Sequence, residues 1–168
     1  MKMKNLFKLS VLSNILFLGA TIPSGSWYVI IAGLMLMLGS GWMHYVEYLP
    51  DKPNYSASIT ADWFGMINVG IAIAIWLISP EYGYWLYPLL TITQIILFES
   101  NYENTNLVGA VFLICIITKI IQEPIMGFVS LGCFICFLFI NNLEKAHKHQ
   151  DHTVKHIIGA LGILELTL

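Results

Sequence analysis

A few polar side chains in an otherwise apolar chain have the types and spacing that metal-dependent hydrolysis requires. His152 and His156 lie four residues apart in Asp151-His152-Thr153-Val154-Lys155-His156. On a helix that spacing sets two imidazoles one turn apart on one face, able to chelate a single cation. Ser40 and His44, in Gly39-Ser40-Gly41-Trp42-Met43-His44, have the same separation. A third imidazole joining the pair gives the three-histidine set that leaves one position of a zinc ion open for water, and zinc lowers the pKa of that water to about 7 while polarising a carbonyl. Asp62 then has the chemistry to take the water's proton, and Ser40 to hydrogen-bond the water or the oxyanion.

Each of these residues also has a plainer account. His44 alone suits a hydrogen-bonded structural role, and the His152/His156 pair suits a polar helix start following His147 and His149. Asp62 suits an anion near a helix N-terminus, and Ser40 a bond back to the carbonyl four residues earlier. Lys155 suits either snorkelling to headgroups or anchoring an anionic lipid head or a carboxylate product. Joint occurrence in a chain this poor in polar residues favours the chemical account.

The elements that position these groups follow from composition. Hydrophobic residues make up 57% of the 168 and charged residues 11%, with a mean hydropathy of +0.74, against roughly 25% charged in a soluble domain. This is the profile of an integral membrane protein. A net charge of −2 without a basic patch excludes the usual electrostatic footprint of nucleic-acid binding, and no protein partner is expected. Cys115, Cys133 and Cys136 sit in apolar runs without disulfide spacing and are expected to pack.

Breaker clusters divide the chain into seven apolar segments, at about 5–22, 27–49, 59–79, 82–98, 107–121, 124–140 and 151–168. Most are close to the roughly 20 residues that a hydrocarbon core of about 30 Å requires, and the runs are continuous instead of alternating as barrel strands do. The predicted fold is all-α, a single polytopic domain of seven transmembrane helices. Lys2, Lys4 and Lys8 precede the first segment in the manner of a signal peptide, but no small-x-small cleavage site follows, so it is read as a span. Ser56 and Ser58 are expected to cap the third helix, Pro88 to interrupt the fourth, and Pro124 to occupy the first turn of the sixth. Trp27, Trp42, Trp63, Tyr84, Trp85 and Tyr87 are assigned to an interfacial aromatic belt. Asn14, Asn68 and Gln94 are assigned to bonds between helices.

Orientation follows from the lysines. Lys2, Lys4, Lys8, Lys52, Lys145 and Lys148 fall on the side of the N-terminus, and Lys119 falls near the opposite side. The positive-inside rule then puts the N-terminus in the cytoplasm and the C-terminus outside. Seven spans place His44, Asp62, His152 and His156 together at the cytoplasmic end.

The same residues resemble a known family. Gly39-Ser40-Gly41-Trp42-Met43-His44 resembles the Gly-Ser-x-x-x-His motif in the second helix of alkaline ceramidases and their bacterial relatives, and Ala61-Asp62-Trp63-Phe64-Gly65-Met66 is similar to the Asp-led motif opening their third helix. Asp151-His152-Thr153-Val154-Lys155-His156 resembles the final-helix His-x-x-x-His, and Ser13-Asn14 the Ser-Asn of the first helix. Order and spacing match over nearly the whole chain, within the wider CREST superfamily that joins alkaline ceramidases with progestin and adiponectin receptors. The resemblance implies seven helices, one zinc on His44, His152 and His156, and Ser40 and Asp62 supporting hydrolysis of a lipid amide, ceramide or another N-acyl lipid, to a fatty acid. The alternative it carries is a receptor-like member with a structural zinc and no turnover. Residues 1 to 8 lack the acids that bind calcium in eukaryotic members, so calcium is not expected, and Leu-Pro is missing before Met66. The expected location is a bacterial inner membrane.

Overall fold

The computed structural model describes residues 11–47, 49–97, 105–146 and 152–168, and these are almost wholly helical. Seven α-helices follow in order: α1 Ile15–Thr21, α2 Trp27–Glu47, α3 Tyr55–Ile78, α4 Gly83–Leu97, α5 Thr105–Gln122, α6 Pro124–Ala146 and α7 His152–Thr167. Short 3-10 turns at Ile22–Ser24 and Pro80–Tyr82 each begin at or beside a proline, which fixes φ and lacks the N–H a longer helix would need. The all-α expectation therefore holds. Two helices, α2 and α3, are by themselves long and apolar enough to cross a membrane, and three shorter apolar helices accompany them.

The helices form a closed ring in the order α1, α2, α3, α5, α6, α7 and back to α1, while α4 packs outside the ring, mainly on α3. The antiparallel pair α2 and α3 makes the most extensive contact. Glycine is what permits it. A Cβ on Gly39 would run into the Ala61 carbonyl, and one on Gly65 would lie 2.6 Å from the Leu36 Cα. Two bare backbone patches, one on each helix, thus let the main chains approach as small residues do in membrane bundles. The buried core then fills from Tyr28, Val29, Ala32 and Leu36 on α2, Val69 and Ile73 on α3, Ile116 on α5, and Ile163 and Leu166 on α7.

Polar groups bind the helices as expected in part. Asn68 Nδ2 donates to Gln94 Oε1 at 2.7 Å, and Thr91 Oγ1 donates to Asn68 Oδ1 at 2.9 Å, joining α4 to α3. Asn14 Nδ2 donates to the Val11 carbonyl within its own turn. Thr167 Oγ1 donates to the Ala20 carbonyl at 2.6 Å and closes the α7–α1 seam.

Several sequence expectations are corrected. The third helix starts at Tyr55 after Asn54, whose left-handed φ of 55° turns the chain in, so Ser56 and Ser58 are not caps. Ser58 Oγ donates back to the Tyr55 carbonyl at 2.7 Å, because a hydroxyl inside the first turns finds a carbonyl more readily than an orphan N–H. The sixth helix continues past Ile140 to Ala146, since nothing in Asn141 to Ala146 is a breaker. Tyr87 is not at an interface: it is buried against Tyr28 and points its hydroxyl to Met35 Sδ. Lys119, near the end of the fifth segment as expected, lies in the last turn of α5, where it is buried and paired with Glu123 at 2.9 Å. Of the cysteines, Cys115 is buried, donating to the Gly70 carbonyl, whereas Cys136 is exposed. Pro88 inside α4 and Pro124 at the start of α6 stand where they were expected. The lysines at positions 2, 4, 8 and 148 lie outside the described residues.

Candidate active site

The site is assembled from the C-terminal end of α2, the N-terminal half of α3, the N-terminal end of α7 and the segment leading into α1. The close approach at Gly39 sets Ser40 beside Asp62, since Gly39 rests on Ala61 and the Asp62 amide. The Ser40 hydroxyl is placed to hydrogen-bond the Asp62 carboxyl, which also lies in the fields of His44, Lys155 and Glu47. Ser40 and Asp62 are both buried. His44, one turn beyond Ser40, is 1% exposed, and His156 on α7 is 3% exposed. Their Nε2 atoms face each other 2.9 Å apart, with ring centroids 4.8 Å apart. Phe17 packs edge-on against the His156 ring.

Two histidines far apart in sequence therefore meet, and each is held from behind. Glu47 Oε2 lies 3.0 Å from His44 Nδ1 and Ser13 Oγ lies 2.7 Å from His156 Nδ1. Tyr55 donates to the other Glu47 oxygen at 3.3 Å. A carboxylate only accepts, so His44 carries its proton on Nδ1 and turns the lone pair of Nε2 towards His156. In the protein alone His156 Nε2–H donates to His44, and Ser13 donates into His156 Nδ1, which gives one run of donors from Ser13 through both rings to Glu47.

This arrangement fits a metal. Ligating histidines almost always engage their second nitrogen with a carboxylate, carbonyl or other oxygen, and here both do. With a cation on Nε2 the single imidazole proton of His156 would sit on Nδ1, and the Ser13 hydroxyl, able to donate or to accept, would accept it. At 2.9 Å the two Nε2 atoms are at hydrogen-bond distance, and to hold one zinc between them the rings would have to part slightly. His152 begins α7, one helical turn before His156, and its side chain lies outside the described residues. Among the described residues no three His, Cys, Asp or Glu side chains gather as a metal site.

The histidine pair opens into a cavity of about 570 Å³ lined by every helix of the ring. Its ionisable oxygen and nitrogen groups, Glu47, Tyr55, Asp62, Lys155 and the two histidines, sit at one end, and Leu36, Phe112, Ile116, Phe134, Ile163 and Leu166 wall the remainder. This size lies within the roughly 300–1,000 Å³ of ligand pockets, which are mostly apolar with a few convergent polar groups. α4 contributes nothing to the lining.

Ser40, His44, Asp62, Lys155 and His156 thus share one cavity end. Sequence reasoning missed Glu47 and Tyr55 and gave Ser13 no role. The signal for Glu47 was available, as an acid three residues after His44 falls on the same helix face. Tyr55 lies across a loop and had none. The chain matches no family model, no curated protein and no solved structure.

Proposed function

We propose that the protein is a zinc-dependent intramembrane hydrolase that cleaves a lipid amide, ceramide or another N-acyl lipid, and releases a fatty acid. The observation that carries this is the meeting of His44 and His156, each backed by an oxygen partner, at the polar end of an apolar cavity that also holds Ser40 and Asp62. Zinc on His44, His156 and His152 supplies Lewis acidity and an activated water when bound. Glu47 and Ser13 fix the two described imidazoles. Asp62 takes a proton from the water that adds to the carbonyl carbon and returns it to the amine nitrogen as the C–N bond breaks. Ser40 donates to the carbonyl oxygen as charge gathers there. The apolar walls take the acyl chain.

The reading places seven helices across a bacterial inner membrane, with the N-terminus and the site on the cytoplasmic side. Elemental analysis of purified protein tests the centre: about one zinc per chain in wild type and almost none in His44→Ala or His156→Ala. An Asp62→Asn variant keeps its zinc and stops releasing fatty acid from N-acyl lipids. Folded wild-type protein that takes up no zinc overturns the proposal.

A further inference from the structure

A lysine at the mouth of an apolar cavity is costly to keep and marks a place where an anion is met. Lys155 is half-buried, lines the cavity next to His156, and holds its Nζ 5.8 Å above the centre of the Phe137 ring on α6. Lys155 lines the same end of the cavity as Asp62 and Ser40, close enough for its charge to act on the Asp62 carboxyl.

We infer that Lys155 seats a carboxylate on the amine half of a single-chain N-acyl lipid, so that the substrates are N-acyl amino acids. The inference rests on the hydrolase reading for the fate of the amide but not for binding. The cavity has one polar end and one apolar length. From His156 to Leu166 that length is about 15 Å at 1.5 Å per residue. An extended chain advances about 1.2 Å per bond, as a backbone covering up to 3.6 Å in three bonds does, so about twelve bonds fill it. The acyl group is therefore one of about twelve carbons, with the amide at Ser40 and Asp62 and the carboxylate beyond it at Lys155.

A carboxylate at this end has two sources, the amino-acid half of the substrate or the fatty-acid product, and binding separates them. Affinities of purified full-length protein are measured for N-dodecanoylglycine, its uncharged glycinamide counterpart, and dodecanoate. The expected result is at least tenfold tighter binding of N-dodecanoylglycine than of the amide. That preference is lost in Lys155→Met and kept in Lys155→Arg, while dodecanoate gains little from Lys155. Equal binding of acid and amide by wild type, or a preference that survives Lys155→Met with bound zinc unchanged, overturns the inference. So does a Lys155-dependent preference confined to dodecanoate, which assigns the seat to product. If N-dodecanoylglycine binds as expected but zinc-loaded protein never cleaves it or any other N-acyl lipid, the hydrolase reading fails and the carboxylate seat stands. If neutral N-acyl lipids are cleaved without any preference for acids, the reverse holds.

Discussion

Glu47 is the residue whose role the geometry defines most closely. It touches His44 on one carboxylate oxygen and Tyr55 on the other, so it helps to fix both the tautomer and the plane of that imidazole. Outer partners of this type typically account for 10- to 100-fold in metal affinity. Glu47→Ala is expected to weaken zinc binding by about that factor, and Glu47→Gln by less, since an amide oxygen still accepts from Nδ1. Competition against a chelator of known affinity measures both, and an unchanged affinity in Glu47→Ala removes the positioning role. Ser13→Ala leaves His156 Nδ1 without its 2.7 Å partner. A buried nitrogen deprived of its bond costs about 1–3 kcal/mol, which thermal unfolding of the variant registers directly.

Among the helices, the α2–α3 pair decides whether a site exists at all. Gly39 and Gly65 sit where side chains would strike the backbone of the other helix, and bulk added to a packed contact costs typically 1–3 kcal/mol. Gly39→Val is expected to lower the melting temperature and to abolish activity, because separating α2 from α3 parts Ser40 from Asp62. Asn68→Leu makes the contrast. It severs the bonds that hold α4, each worth roughly 0.6–2 kcal/mol in a bilayer, yet α4 lines no part of the cavity and zinc content should remain at wild-type level. Part of the site was legible beforehand. Helical spacing relates residues on one helix, so Ser40 with His44 and His152 with His156 follow from the sequence alone, and counting turns puts α2, α3 and α7 ends on one side. Which helices are neighbours is not periodic information. Nothing in Gly83–Leu97 marks it as the helix left outside the ring, and Ser13 reaches His156 across 143 residues. The cap at Asn54 was missed for a local reason: two serines mimic a start signal two and four residues too late.

The outer surface of the described residues is rich in exposed hydrocarbon. Leu38, Ile92, Ile96, Ile121, Ile125, Phe128 and Phe139 are all exposed, on four different helices, whereas soluble monomers seldom expose contiguous apolar patches beyond a few hundred Å². On the proposed function, orientation in the membrane reduces to which helix ends face which compartment. α3 decides this most simply. Its 24 residues extend about 36 Å at 1.5 Å per residue, enough to clear a hydrocarbon core of about 30 Å. Asp51, just before α3, and Glu81, just after it, must then lie on opposite faces if α3 spans. The proposed orientation puts the end that carries Lys52, its Nζ 5.1 Å from the Tyr55 ring centre, in the cytoplasm. Single cysteines placed at Asp51 and Glu81, in a chain whose three native cysteines are replaced by alanine, give the measurement. A membrane-impermeant maleimide added to intact cells is expected to label Glu81→Cys at once and Asp51→Cys only after permeabilisation. The opposite order inverts the protein and carries the site to the outer face. Equal labelling of both from outside means that α3 does not span, and with it falls the arrangement in which the histidine pair is reached from the bilayer.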